Sequence, residues 1–182
     1  MPDFFPSEAG VEYESSELTM GVFRDEEYVE ELELNALLKL ERGAPQTTLT
    51  GHRHFEFAIS EWEVQGRSEA LDGVISLSLA NVPQPHSLCL AAQPDGDFPS
   101  VISYNAIFDV YFNNARVLES QTGLGIGTGI MQIPPRGIDI AFQKAFELGD
   151  WSFRAGACKK MASMTEREFT AQADEFRALR ED

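Results

Sequence analysis

The chain has 182 residues, 43% of them hydrophobic, which suits one domain that buries a core without staples and is too apolar for a wholly disordered chain. Its formal net charge of −16 repels phosphate and anionic lipid, so neither nucleic acid nor a membrane surface is expected as a partner. The charge is uneven: residues 1–33 hold eleven acids against Arg24 alone, a net −10.

The opening "MPDFFPSEAG" lacks the basic region and apolar run of a secretion signal, and no apolar stretch reaches the ~18 residues of a membrane helix. A cytoplasmic protein is the expectation. Residues 1–20 read as an irregular, acidic, polar segment of a single domain covering 1–182.

The first periodic segment is "EEYVEELELNALLKLERG", residues 26–43. Leu32, Leu34, Ala36, Leu38 and Leu40 share one side and Glu31, Glu33, Asn35, Lys39 and Glu41 the other, so period two predicts a half-buried strand. Leu37 alone breaks the alternation. In "HFEFAISEWEVQGRSEAL" (54–71), Phe55, Phe57 and Ile59 keep one phase while Trp62 and Val64 keep the other, which predicts a β-bulge near Ser60-Glu61. Asp72-Gly73 then joins this strand to "VISLSLA", a hairpin signal. Proline-rich connections follow at 81–87 and 93–100.

In "VISYNAIFDVYFNN" (101–114), Tyr104, Ala106, Phe108, Val110 and Phe112 face one way and Asn105, Asp109 and Asn113 the other. That is the pattern of an antiparallel sheet with one buried face. The stretch "TGLGIGTGIMQIPP" (122–135) invites a nucleotide-loop reading, but its glycines fall at 123, 125, 127 and 129. A dinucleotide loop needs G-x-G-x-x-G opening a helix, and a P-loop needs Gly-Lys-Ser/Thr; neither is present. Leu124, Ile126, Thr128 and Ile130 alternate with the glycines instead, which predicts a strand with one bare face suited to close packing or a cavity wall. "GIDIAFQKAFELGDW" (137–151) keeps period two and leans to strand.

The end is helical. Thr165 and Glu168 have capping-box spacing, and Phe169, Ala173, Phe176 and Leu179 form one stripe over 165–181. Short strands separated by turn signals and followed by one helix predict an all-β antiparallel β-sandwich, with a β-barrel as the alternative.

Residues with chemical potential are few. His52, His54 and Glu56 alternate onto one strand face and are weak metal candidates, because no further ligand stands nearby. A cupin-type ligand set is not completed either, since Ile140 stands where that family places its later histidine. No G-x-S-x-G occurs, and Cys89, between leucines, reads as a core thiol. Whether Cys89 and Cys158 pair is open at this stage. No catalytic residue, metal or cofactor is expected.

Two function classes remain. One is a non-catalytic binding module that engages a protein partner, or a second copy of itself, with Glu26, Glu27, Glu30 and Glu31 as the docking charges. The other is a small-molecule-binding or cyclase-type protein with an apolar cavity lined by Tyr104, Phe108, Phe112, Leu124 and Ile126.

Overall fold

The alternating segments form strands that pair with their neighbours. In the computed structural model, which describes residues 4–136, 140–142 and 146–179, the long strands are β1 (Gly10–Arg24), β2 (Glu27–Arg42), β4 (Arg53–Ser68), β7 (Ser100–Phe112), β8 (Ala115–Ile130) and β11 (Trp151–Ser163). Shorter ones are β3 (Gln46–Thr47), β5 (Gly73–Leu79), β6 (Ser87–Ala91), β9 (Ile140–Phe142) and β10 (Phe146–Leu148). Every pairing is antiparallel, and the order β1-β2-β4-β5-β7-β8-β9-β11 returns to β1 through the β1–β11 pairing. β6 bridges β4 and β7, while β3 and β10 append to β4 and β11. The result is the expected all-β antiparallel class, sandwich- or barrel-like in its ring of strands, with a single C-terminal helix among the described residues. No helix among them is long and apolar enough to cross a membrane.

Several local expectations hold at the level of register. Lys39 lies opposite Glu61 and Leu40 opposite Ile59, so Ser60 is the extra residue of a bulge. The bulge turns Trp62 and Val64 onto the side already taken by Phe55, Phe57 and Ile59. β4 and β5 form the hairpin, with Ser68 opposite Gly73. Its connection is four residues rather than two, closed by Asp72 in the left-handed region at φ 49°. Of residues 137–151, those at 140–142, 146–148 and 151 are strand, and 137–139 and 143–145 lie outside the described residues.

The expectation of an irregular segment over 1–20 is corrected: β1 begins at Gly10. Its inward residues run Glu12, Glu14, Ser16, Leu18, Met20, Val22. The first three are polar, so the alternation that marks a half-buried strand is invisible over half its length. Ahead of β1, Phe5 is also fixed in place. Phe5 is buried edge-on to Phe55 and Phe98 at 5.0 and 5.3 Å between centroids, and its N–H donates to buried Asp97 at 2.7 Å.

Inside the ring, the apolar residues divide into two clusters. One gathers Phe55, Phe57, Cys89, Ile102 and Ile130 with Phe5; the other gathers Val22, Leu32, Val64, Ile75, Val110 and Phe153. Trp62 packs against both.

A third cluster lies outside the sheet and explains Leu37. The helix α1 (Glu166–Ala178) starts at a full capping box between Thr165 and Glu168. It lays Phe169 and Ala173 on Leu37, all three buried. Leu37 breaks the alternation of β2 because its outer face is covered at that point. Arg177 ties the helix to β4 through Glu61 at 2.8 Å and Glu63 at 3.2 Å.

Candidate functional site

At the seam between the two interior clusters lies a cavity of ≈ 60 Å³, measured as space open to the centre of a water molecule. One water needs ~10–15 Å³ by that measure, so the space holds several, and it is smaller than the ~300 Å³ at which drug-sized sites begin. Its walls are apolar: Leu18, Met20, Ala36, Leu38, Ile59 and Leu77 on one side, and Ala106, Ile140 and Met161 on others. An aromatic wall is built by Trp62, Phe108 and Phe146, with Phe108 edge-on to Trp62 at 5.4 Å and to Phe146 at 6.1 Å. Ser16, Thr122, Cys158 and Tyr104 are its polar lining residues.

The glycine strand supplies the rest. In the β7–β8 register Ile102, Tyr104 and Ala106 lie opposite Gly127, Gly125 and Gly123, so the bare face of β8 looks inward. A methyl at Gly123 would stand 3.1 Å from Phe108 Cε1, and one at Gly127 would stand 2.4 Å from Ile140 Cδ1. The absent side chains admit these neighbours and leave room for the cavity.

Tyr104 also lines a second, small cavity of ≈ 10 Å³, together with Glu12, Glu14, Leu40, Arg42, Phe55, Phe57, Ile102, Ile133 and Pro135. The polar groups here are unusual. Glu14 is 1% exposed, and neither of its oxygens has a hydrogen-bond partner. The Tyr104 hydroxyl and the Arg42 Nε and Nη1 donors are likewise buried without a hydrogen bond. Arg42 Nε lies 3.5 Å from Glu12 Oε1, an ion pair on charge and distance alone. Unpartnered buried polar groups are rare in native proteins and call for an occupant or a functional reason.

Burial dominates the electrostatics of this cluster. It pushes the Glu14 carboxyl up to about 8, with the neighbouring Glu12 adding to the rise and Arg136 opposing it. Burial also raises Glu12, against the pull of Arg42 and Arg136. The Tyr104 phenol is held well above its ordinary range by burial and then by Glu14. At neutral pH the interior therefore presents a protonated carboxyl group and a phenol, both hydrogen-bond donors.

The five residues read from the sequence as cavity lining separate in space. Tyr104 and Phe108 line the cavity. Phe112 packs against the second cluster. Leu124 and Ile126 alternate with the inward glycines and are not among the lining residues. Missed in the sequence were Glu12, Glu14 and Ser16, and Arg42 reads there as a solvated turn arginine. The signal was there: running the phase of Leu18, Met20 and Val22 backwards gives Ser16, Glu14 and Glu12, and running Leu38 and Leu40 forwards gives Arg42.

The histidines do not converge. His52 Nδ1 is 2.8 Å from Thr50 Oγ1, while exposed Glu56 pairs with His86 Nδ1 at 3.2 Å. No cluster of metal-ligating groups occurs among the described residues. Cys89 is buried, its thiol pushed up to about 11 by that burial, and it donates to Ser100 Oγ at 3.4 Å. It forms no disulfide with Cys158. The acidic docking residues surround the β1–β2 turn. Glu26 is held by Arg154 at 2.9 Å, Glu30 accepts from the Ser68 hydroxyl, and Glu27 and Glu31 are exposed on β2.

No protein-family model matches the chain, and no curated protein does. Among solved structures the fold is similar to DynF from the dynemicin biosynthesis pathway of Micromonospora chersina. The TM-score is 0.63 and the identity 12%, over 92% of this chain and 87% of that one. At that identity the likeness is one of fold.

Proposed function

We propose that this protein binds a small, largely apolar molecule in the cavity between its two interior clusters. The observation that carries this reading is the cavity itself: apolar-walled, with Gly123 of β8 in its lining, and bordered by Tyr104, whose buried hydroxyl has no partner. A largely apolar cavity takes small apolar guests, because water against its apolar walls forfeits hydrogen bonds. Its size suits a guest about the bulk of a six-membered ring. The fold likeness to a protein of a biosynthetic pathway is compatible with a small-molecule role.

The test uses the two methionines in the cavity wall. With ¹³C-methyl labels on Met20 and Met161, small cyclic and aliphatic molecules titrated into the protein should shift both resonances saturably. Ala106→Leu, which adds bulk to the wall, should abolish the response. An absence of saturable shifts across such a panel would remove the reading.

A second reading rests on the acidic β1–β2 end. Glu27 and Glu31, together with 62%-exposed Tyr28 and 43%-exposed Val29, offer charge beside apolar surface, a composition that suits a basic protein partner or a second copy.

A further inference from the structure

Resting on the cavity reading, we propose that the guest is a neutral carbonyl compound, its oxygen held by hydrogen bonds from the Tyr104 hydroxyl and the Glu14 carboxyl while its hydrocarbon part fills the main cavity.

Three observations lead there. First, Tyr104 borders both cavities, so a guest in the apolar space meets the polar cluster at this side chain. Second, Glu14 is 1% exposed with both oxygens unpartnered, and the Tyr104 hydroxyl is unpartnered too. A group that accepts from both would satisfy two O–H donors that otherwise stand isolated. Third, the cluster offers donors. Tyr104 and Arg42 present O–H and N–H groups, and Glu14, raised to about 8, carries its proton at neutral pH. An ammonium group would bring only further donors beside the Arg42 guanidinium and carry its own charge into a buried site. A carboxylate would face Glu12, whose charge already answers Arg42 at 3.5 Å. A neutral oxygen acceptor fits both constraints.

The charged and titratable groups around Glu14 are Glu12 on its own strand, Arg42 on β2, Tyr104 on β7 and Arg136 after β8. Of these, Glu12 and Arg136 act on its ionisation directly, in opposite senses. Ionising Glu14 removes its donor and sets a negative charge against the carbonyl oxygen. Binding should therefore weaken as pH rises through about 8.

The experiment compares cyclohexanone with methylenecyclohexane, a hydrocarbon of nearly the same shape, and with cyclohexylammonium and cyclohexanecarboxylate. The readout is again the Met20 and Met161 methyl resonances. The ketone should bind about tenfold tighter than the hydrocarbon, the worth of roughly one good hydrogen bond, and tighter than either ion. Tyr104→Phe should remove most of that advantage. Raising the pH to about 9.5 should weaken ketone binding in the wild type and not in Glu14→Gln, which keeps an N–H donor and cannot ionise.

Equal affinity for ketone and hydrocarbon, tighter binding of either ion, or indifference to Tyr104→Phe would overturn the carbonyl assignment while leaving the cavity reading intact. Failure of every neutral probe to bind would remove the cavity reading and this inference with it.

Discussion

Tyr104 on β7 stands directly opposite Gly125 on β8, so a buried phenol borders the cavity beside a strand face that carries no side chains. Aromatic contact with Phe57, edge-on at 5.3 Å, fixes the ring from the other side. The hydroxyl is thus held by packing, without any hydrogen bond of its own. Tyr104→Phe should leave stability unchanged or raise it, because it removes an unsatisfied buried polar group. Urea denaturation of the two proteins checks this; a loss above about 1 kcal/mol would mean that the hydroxyl already has a partner inside the protein.

Close approach to the glycine strand predicts a steric cost. Gly127→Val should destabilise by about 1–3 kcal/mol, as overpacking of a filled site does, since even a first methyl meets buried Ile140 at 2.4 Å. Gly123→Ala, where the nearest atom is the Phe108 ring at 3.1 Å beside the cavity, should cost less. Denaturation midpoints for the pair test the order, and equal midpoints for Gly127→Val and wild type would show that this face is open.

Burial of Glu14 makes stability depend on pH with a definite sign. Unfolded, the carboxyl ionises near its ordinary 4.5; folded, it stays protonated to about 8. The native state therefore binds more protons across that window, and stability falls as pH rises from about 4.5 through about 8. The slope contributed by this one group is at most about 1.4 kcal/mol per pH unit. Glu14→Gln should flatten that part of the curve and be the more stable protein at pH 8. Parallel stability–pH curves for the two would show that Glu14 is solvated or paired.

Helix α1 is held by a small patch. Phe169→Ala should cost about 3 kcal/mol, the lower end for a buried phenylalanine, or release the helix locally. In either case amide exchange in α1 accelerates more than exchange in β7 and β8. Uniform acceleration over the whole chain would indicate that the helix is part of the cooperative core.

The acidic residues at the β1–β2 turn should separate into two kinds. Glu30→Gln removes a charged acceptor from the fully buried Ser68 hydroxyl and should destabilise by about 1 kcal/mol. Glu27→Gln with Glu31→Gln touches exposed positions and should change stability by less than about 0.5 kcal/mol. If a basic partner exists, the latter pair should slow its association at low salt and have little effect at high salt. Thermal melts check the first contrast, and association rates at two ionic strengths check the second.

The sequence by itself determined the local structure wherever inward positions are apolar. Period two in β2, β4 and β7, the phase slip at Ser60, the inward glycines of β8 and the capping box at Thr165 are all fixed within a few residues, because backbone geometry puts alternate side chains on opposite faces. Tertiary structure decided what each face meets. Only the closing of the ring turned Glu12, Glu14 and Arg42 from surface-like residues into an interior cluster, since burial comes from strands distant in sequence. The same closure set Tyr104 beside Glu14 and moved Leu124 and Ile126 out of the cavity lining. Leu37 is the clearest case: a flaw in the alternation of β2 read alone, it is buried because a helix more than a hundred residues later lies across it.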